Sequence, residues 1–289
     1  MSLIQPFYNS TLGKYVFSLI GDYEIIYSVS DEAGNITTLV LTIVVSESSS
    51  GEFEGYYASL SGLSGQALVD ELYRILNDTG QYETTTYGQA RYYLGETDRW
   101  VTYDSDYLYL IYTDTLRTSK DSGFQFDGYA SPIWNANNDG TQSTWNREHV
   151  WAKSLFGTGS YDPSDNTRGI DADLHNLRAA DTNVNSTRGN NLFINQVYVA
   201  QGFGNYSGKW YPGDHHRGDV ARIIFYMDIR WGSLTNISKI GDLQTFIEWH
   251  KADPVDEFEI YRNNKIYEYQ HNRNPFIDHP ELVDMIYGN

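Results

Sequence analysis

Near its middle the chain reads Trp145-Asn146-Arg147-Glu148-His149-Val150-Trp151. Glu148 and His149 are adjacent, so within a β-strand their side chains point to opposite faces. Both can serve one site only where the strand ends or twists. The segment therefore predicts the end of a strand or the mouth of a hairpin. Taken alone the pair is weak evidence, because a lone histidine is more often a structural hydrogen-bonding group than a base.

A second polar segment, further along the chain, predicts the elements that surround this pair. Residues 173–177 alternate like a returning strand, and residues 183–193, which include Asn185, predict a helix. Two strands and a helix in this order form a small ββα unit that brings Glu148, His149 and Asn185 around one cation. One carboxylate and one amide oxygen suit magnesium, which keeps several waters. Hydrolysis of a phosphodiester needs such a cation, a base and guanidinium support.

Composition limits the chemistry that the chain can use. The 289 residues contain no cysteine, which excludes disulfides, thiolate nucleophiles and cysteine-bound zinc. The net charge of −18 argues against a nucleic-acid partner, since acidic surfaces repel phosphate backbones. Residues 141–220, however, hold 8 acidic and 7 basic residues and are close to neutral. A local cationic groove on an acidic body is therefore compatible with the sequence.

The N-terminal part predicts a short β-rich segment before the main domain. Two alternating runs, residues 23–29 and 36–45, flank a Gly-Asn turn and indicate a hairpin. This part resembles the closing strands of the immunoglobulin-like repeats on bacterial surface and secreted proteins, which implies a spacer; a hairpin packed on the main domain is the alternative. We predict this partial repeat at residues 1–48, a linker at 49–55 and the main domain at 56–289. No apolar run approaches the roughly 18 residues of a membrane helix, and we expect any export signal to lie upstream.

The remaining pattern predicts an α+β fold with a helix-rich C-terminal part. Residues 85–130 suggest strands and acidic loops, and the run 135–140 is more typical of a solvated loop than of a calcium site. Predicted helices cover residues 65–76 after Ser64, residues 219–230, residues 243–251 after Asp242, and a segment from Asp253-Pro254 towards Gln270.

Five ordered segments together resemble the bacterial endonuclease I family. They are residues 146–151, residues 172–177, residues 184–190, residues 217–222 and residues 272–282. The resemblance covers most of residues 60–289. It implies a His-Me finger, or ββα-metal, fold and a non-specific magnesium-dependent nuclease. Such enzymes are secreted or periplasmic, act on DNA and often RNA, and leave 5′-phosphate ends.

The resemblance also implies roles for individual residues. His149 matches the general base, and Glu148 and Asn185 match the metal ligands, with Mg²⁺ as cofactor and Mn²⁺ or Ca²⁺ as substitutes. Arg168 is the only arginine in the loop between Lys153 and Asp171, so it is assigned to transition-state stabilisation. The residues assigned to substrate contacts are Arg147, Arg188 and Asn190, with a role in anchoring the helix as the equal alternative for Arg188. His175 is expected to fix the hairpin by hydrogen bonds.

The chain departs from the family pattern at two points, and other functions remain open. Several Gram-negative members carry disulfides, whereas this chain has no cysteine, and Ala152 stands here where the family often has proline.

The alternative functions are a catalytically decayed surface binding module and a phosphodiesterase for phosphoesters other than nucleic acids. We expect a monomer that is secreted or at the cell surface. The sequence leaves the choice between DNA and RNA open. A neutral His149 base predicts activity that falls below a pH of roughly 6.5.

Overall fold

The computed structural model divides the chain into two units, residues 1–62 and residues 63–289. It describes residues 7–9, 14–16, 21–31, 33–45, 53–78, 85–99, 108–113, 126–127, 131–132, 145–158, 163–195 and 202–288. The division lies beyond the predicted linker at 49–55, of which residues 49–52 are outside the described residues. The run 135–140, considered above for calcium, also lies outside them.

The first unit contains the predicted hairpin. Strands β1 (Phe7–Asn9) and β2 (Lys14–Val16) pair antiparallel, as do β3 (Gly21–Ser30) and β4 (Ile36–Val45). The carboxylate of Asp31 accepts hydrogen bonds from the backbone nitrogen and Nδ2 of Asn35, at 2.8 and 2.7 Å. These bonds close the turn between β3 and β4, which confirms the hairpin. Its origin in an immunoglobulin-like repeat stays a prediction.

The second unit mixes helices with short antiparallel strands, which confirms the α+β class and the helix-rich C-terminal part. Among the described residues its α-helices are α1 (Gly65–Leu76), α2 (Tyr87–Thr97), α3 (Thr182–Arg188), α4 (Arg217–Trp231), α5 (Leu243–Ala252), α6 (Glu257–Gln270), α7 (Pro275–Asp278) and α8 (Leu282–Tyr287). Its strands are β5 (Phe126–Asp127), β6 (Ser131–Pro132), β7 (Trp145–His149), β8 (Leu177–Asp181), β9 (Gly204–Tyr206) and β10 (Lys209–Tyr211). No helix among the described residues has the length and apolarity that a membrane crossing requires.

Helices α1, α4 and α5 confirm their predictions, whereas the predicted start of α6 was wrong. The helix does not begin at Asp253-Pro254, because Asp256 and Glu259 form a capping box. The Asp256 side chain accepts from the Glu259 nitrogen at 3.0 Å, and the Asp256 nitrogen donates to Glu259 Oε2 at 3.3 Å. This reciprocal pair satisfies two backbone N–H groups at the start of the helix and fixes its first turn. Asp253 instead accepts from the Gly218 nitrogen in the first turn of α4, at 2.9 Å.

Helix α2 lies where the sequence suggested strands and acidic loops. Thr86 and Gln89 form a capping box in which the Thr86 hydroxyl accepts from the Gln89 nitrogen at 3.1 Å. This cap starts a helix whose Ala90 and Leu94 side chains are fully buried. The prediction was wrong because the tyrosines and threonines around the helix favour strands by propensity, while the cap and the buried side decide the structure.

Strands β7 and β8 form a two-stranded antiparallel sheet. The register runs from Trp145 opposite Asp181 to His149 opposite Leu177. The returning strand therefore begins at Leu177, not at Asp173 as predicted, and residues 173–176 form the turn that precedes it. Leu177 and Ala179 pack in a buried cluster with residues of α2 and α6. The sheet is thus fixed in the core, with the Glu148-His149 end at one edge.

A buried ionic cluster attaches β8 to the helices. Asp98, with no exposed surface, accepts from Nε of Arg178 at 3.0 Å, from Nε of Arg262 at 2.8 Å and from the Ala179 nitrogen at 2.7 Å. A buried carboxylate is tolerated when it is paired and its lone pairs are occupied. This one links the end of α2, strand β8 and α6. It keeps β8, and with it β7, in a defined position.

Candidate active site

The end of β7 presents Glu148 and His149 together, as the sequence predicts. His149 is the last residue of β7, and the chain turns directly after it. The Asn176 carbonyl accepts from the Val150 nitrogen at 3.0 Å, and the Asn176 side chain accepts from the Trp151 nitrogen at 2.7 Å. Asn176 therefore fixes the turn and ends the strand. The pair therefore lies at the end of the strand, where the sequence predicted it.

The imidazole of His149 is buried and held in one orientation. Its Nε2 lies 2.9 Å from the backbone oxygen of Asp171. The Tyr87 ring stacks on it at a centroid distance of 5.6 Å, and the Phe156 ring meets it edge-on at 6.2 Å. Burial lowers the pKa of His149 to about 4, although the Asp171 carbonyl acts in the opposite direction. The ring is therefore neutral at pH 7. With this lowered pKa, the loss of activity that the sequence predicted below a pH of roughly 6.5 moves to lower pH.

The position of the imidazole proton follows from this contact. A carbonyl oxygen can only accept, so Nε2 of His149 must carry the hydrogen that it donates to Asp171. In the neutral ring Nδ1 is then the nitrogen with a free lone pair. The residue is thus prepared as a proton acceptor at Nδ1.

Glu148 is a buried carboxylate with two partners on one oxygen. Only 2% of its surface is exposed. The Tyr112 hydroxyl donates to Oε1 at 2.9 Å, and Nη1 of Arg188 lies 3.3 Å from the same oxygen. Burial raises the pKa of Glu148 to about 7, although Arg188 and the Tyr112 hydroxyl lower it. A nearby cation would favour the charged form further.

Helix α3 carries Asn185 to the same strand. Asp181 starts the helix, since its side chain accepts from the nitrogens of Asn183 and Val184 at 2.8 and 3.0 Å. Nδ2 of Asn185 then donates to Oδ1 of Asn146 at 2.7 Å and to the backbone oxygen of Arg147 at 3.4 Å. That oxygen belongs to the peptide unit that leads into Glu148. Because the amide nitrogen is used in these bonds, Asn185 keeps its oxygen for another partner.

Arg188, at the end of α3, is completely buried. Its guanidinium donates to the backbone oxygens of His149, Val150 and Gly189 at 3.2, 2.6 and 3.0 Å, in addition to its ion pair with Glu148. The side chain therefore clamps α3 onto the end of β7. Of the two roles considered from the sequence, this burial favours anchoring over contact with phosphate.

The other predicted arginines and Asn190 lie around this core. The Arg147 guanidinium carbon stands 3.4 Å from the centroid of the Tyr87 ring, and Arg147 also donates to the Tyr87 carbonyl. Arg168 is exposed and directly precedes the 3₁₀ segment Gly169–Ala172, which contains Asp171, the partner of His149. Asn190 is exposed, with Nδ2 3.3 Å from the Ser154 hydroxyl.

The loop that carries Arg168 is attached to the start of α2. The Tyr87 nitrogen donates to the Thr167 oxygen at 2.7 Å, and the Gly88 nitrogen donates to the Asp165 oxygen at 2.9 Å. A Cβ at Gly88 would lie 2.8 Å from Cβ of Asp165, so only glycine allows this approach. Helix α2, which the sequence interpretation missed, therefore positions both the ring against His149 and the loop of Arg168.

Asp173 fixes the segment between Asp171 and β8. Its buried carboxylate accepts from Arg230, from Nε1 of Trp231 and from Nε2 of Gln270, each at 2.8 Å. His175 in the same turn is fully buried, with Nε2 3.3 Å from the Asn272 oxygen. This contact agrees with the hydrogen-bonding role that we expected for His175. His216, directly before α4, is also buried, with Nε2 3.1 Å from the Thr113 oxygen.

The residues predicted to hold the metal offer oxygen atoms, which are hard donors. Among the described residues, no group of three or more histidine, cysteine or acidic side chains is arranged to hold a metal. The predicted site uses a different combination, one carboxylate of Glu148 and one amide oxygen of Asn185. Such a set leaves most of a cation's coordination to water and substrate, as magnesium prefers. The residues present therefore fit a weakly held, hydrated divalent cation.

Comparison with known families shows the group to which the chain belongs. The family model described as Endonuclease I matches residues 64–281. The chain belongs to the endonuclease I family. The match covers the described part of the centre, from α2 to α6.

Curated relatives carry related names. The chain is 37% identical over 275 residues to an extracellular ribonuclease of Bacillus amyloliquefaciens, with 88% of this chain and 86% of the relative aligned. It is 35% identical over 271 residues to an extracellular ribonuclease of Bacillus subtilis (strain 168), covering 87% and 84%. An extracellular deoxyribonuclease of Aeromonas hydrophila is 29% identical over 123 residues, covering 40% and 52%.

Proposed function

We propose that the chain is a secreted, metal-dependent and sequence-non-specific endonuclease that hydrolyses phosphodiester bonds of DNA and RNA and leaves 5′-phosphate ends. One observation carries the proposal. His149 is a neutral, buried imidazole whose Nε2 is committed to Asp171, with Glu148 beside it at the end of the same strand. The antiparallel pairing of β7 with β8 and the position of helix α3 directly after β8 support the proposal of a ββα unit.

In the proposed reaction His149 is the general base. Nδ1 takes a proton from a water whose oxygen attacks phosphorus, and the bond between phosphorus and the 3′-oxygen breaks. The products are a 5′-phosphate and a 3′-hydroxyl, which takes its proton from solvent water. Nε2 keeps its hydrogen bond to the Asp171 carbonyl throughout. This bond keeps the ring in one tautomer and one orientation, and it becomes stronger when the ring acquires positive charge. Stacking by Tyr87 prevents the ring from tilting.

Glu148 and Asn185 are the residues that would hold Mg²⁺, with Mn²⁺ or Ca²⁺ as substitutes. When bound, the cation supplies positive charge for the phosphoryl oxygens and the leaving group. Tyr112 and Arg188 occupy Oε1 of Glu148, and Asn146 occupies the amide nitrogen of Asn185. The second carboxylate oxygen and the amide oxygen would therefore be the ligand atoms.

Arginine and amide side chains at the rim are proposed to act on the substrate backbone. Arg168 is exposed near the Asp171 segment, where its guanidinium can stabilise charge on the phosphoryl group. Arg147, stacked on Tyr87, and the exposed Asn190 are proposed to contact phosphates. The near-neutral charge of residues 141–220 supports a nucleic-acid surface there. Contacts of this kind carry no sequence information, which accounts for non-specific cleavage.

The relatives support the substrate class and the location. Those named above are extracellular nucleases, two of them ribonucleases and one a deoxyribonuclease. We therefore infer export and action on either nucleic acid. The monomeric state stays a prediction from the sequence.

The test is digestion of supercoiled DNA, single-stranded DNA and RNA by the purified chain, with Mg²⁺ titrated in and with a chelator as control. The account predicts cleavage that requires metal, and products that a kinase labels only after phosphatase treatment. Cleavage that survives the chelator contradicts metal dependence. Absence of cleavage under all conditions favours the decayed binding module, and selective hydrolysis of small phosphodiesters favours the phosphodiesterase.

A further inference from the structure

Tyr112 has an unusual backbone conformation for its residue type. Its φ is +72°, in the left-handed region, and the residue has no exposed surface. A bulky residue rarely adopts this conformation without compensation elsewhere. Such outliers persist where the surrounding structure determines them, and they concentrate at functional sites. No motif in the sequence marks this position.

Contacts on both sides hold the backbone of Tyr112 in place. The Ile111 nitrogen donates to the Ala179 oxygen of β8 at 2.9 Å. The Thr113 oxygen accepts from Nε2 of His216, just before α4, at 3.1 Å. The Tyr112 ring packs against Trp210 with a centroid distance of 5.5 Å. Its position is thus determined by β8, α4 and β10 before any ligand is present.

This arrangement directs the Tyr112 hydroxyl at Glu148. The hydroxyl donates to Oε1 at 2.9 Å, and Arg188 pairs with the same oxygen at 3.3 Å. Among the described residues both contacts fall on Oε1 and none falls on Oε2. Two fixed partners on one oxygen prevent rotation of the carboxylate. They also keep Oε2 turned away from the protein's own donors.

We propose that Tyr112 is a positioning residue that orients Glu148 so that Oε2 receives the divalent cation. The proposal rests on the proposed function, in which Glu148 is a metal ligand. Partners that orient a metal ligand through a hydrogen bond typically contribute 10–100-fold to metal affinity or activity. Tyr112 acts in this way through Glu148 and does not touch the substrate. It determines how well the cation is held.

The test measures binding of Mg²⁺ by calorimetry to the full chain, without nucleic acid. Tyr112→Phe removes the hydroxyl and keeps the ring. Tyr287→Phe is the matched control, because the Tyr287 hydroxyl donates to a carboxylate, Asp228, at 3.0 Å on helices away from β7. Glu148→Gln tests the ligand itself. The Mg²⁺ dependence of plasmid nicking is measured on the same proteins.

The proposal predicts that Tyr112→Phe weakens Mg²⁺ binding by about 10–100-fold, while Tyr287→Phe binds as the wild type does. It also predicts that nicking by Tyr112→Phe recovers at saturating Mg²⁺, with the KM for DNA unchanged. Wild-type Mg²⁺ affinity in Tyr112→Phe overturns the proposal. Wild-type Mg²⁺ affinity in Glu148→Gln overturns the proposed function instead, so the two failures are distinct.

Two further variants answer the question if Tyr112→Phe does not fold. Placing p-aminophenylalanine at position 112 keeps the ring and supplies an N–H donor, so it should bind Mg²⁺ within a few-fold of the wild type. Placing p-methylphenylalanine there keeps the size without a donor and should bind weakly. Equal affinities in these two proteins would show that the donor has no role.

Discussion

The buried guanidinium of Arg188 offers a sharp test of how the site is built. Arg188→Met removes an ion pair with Glu148 and three hydrogen bonds to backbone oxygens, at a position with 0% exposure. Removal of one partner of a buried pair costs about 3–5 kcal/mol, because the other charge is left uncompensated. In a domain of this size each kcal/mol lowers the unfolding temperature by roughly 2–4 °C, which gives a decrease of roughly 6–20 °C.

Thermal unfolding followed by circular dichroism measures this decrease. Arg74→Met is the control, because the Arg74 side chain is 57% exposed on α1 and its loss should leave the unfolding temperature unchanged. Adding Glu148→Gln to Arg188→Met should recover part of the loss, since a neutral amide needs no counter-charge. The reasoning would be refuted if Arg188→Met unfolded at the wild-type temperature and showed only a raised KM for DNA. That result would place Arg188 on the phosphate instead.

Two further perturbations test the supports of the site. In Gly88→Ala the added Cβ would lie 2.8 Å from Asp165 and should displace the loop that carries Arg168. We expect a lower kcat for nicking in a variant that still folds, and a wild-type kcat would contradict this. Burial raises the pKa of Asp173, but Arg230 and hydrogen bonds from Gln270 and Trp231 hold it below the ordinary 3.8. The stability that this carboxylate contributes is therefore complete above that value and lost as the pH falls through the lower folded pKa. Chemical unfolding at about pH 4 and pH 2 should show a smaller loss of stability in Asp173→Asn than in the wild type, and equal losses would contradict it.

The sequence predicted the structure best where residues that are close in the chain determine it. Adjacency of Glu148 and His149 required the strand to end there, and β7 ends at His149. Helix α5 begins after its predicted cap, Asp242, whose side chain accepts from the Thr245 nitrogen at 3.0 Å. In such cases the residues that decide the structure are neighbours in the chain. Residue type and spacing alone therefore carry the prediction.

Contacts between distant residues could not be predicted in the same way. Tyr112 reaches Glu148 across 36 positions, and His149 reaches Asp171 across 22. Neither partner belongs to a motif, and the positive φ of Tyr112 has no signature in a tyrosine. The position of α2, which places Tyr87 on His149, depends on the burial of its apolar side in the core. Such features follow from packing of the whole domain.

The central claim is that His149 supplies the base for phosphodiester cleavage. The most direct measurement is the rate of supercoiled-plasmid nicking at saturating Mg²⁺ by the wild type, His149→Ala and the exposed-histidine control His215→Ala. Loss of a general base typically costs about 10²–10⁴-fold, so we predict a loss of this size in His149→Ala with Mg²⁺ binding retained, and wild-type rates in His215→Ala. Full metal-dependent nicking by a folded His149→Ala would contradict the account.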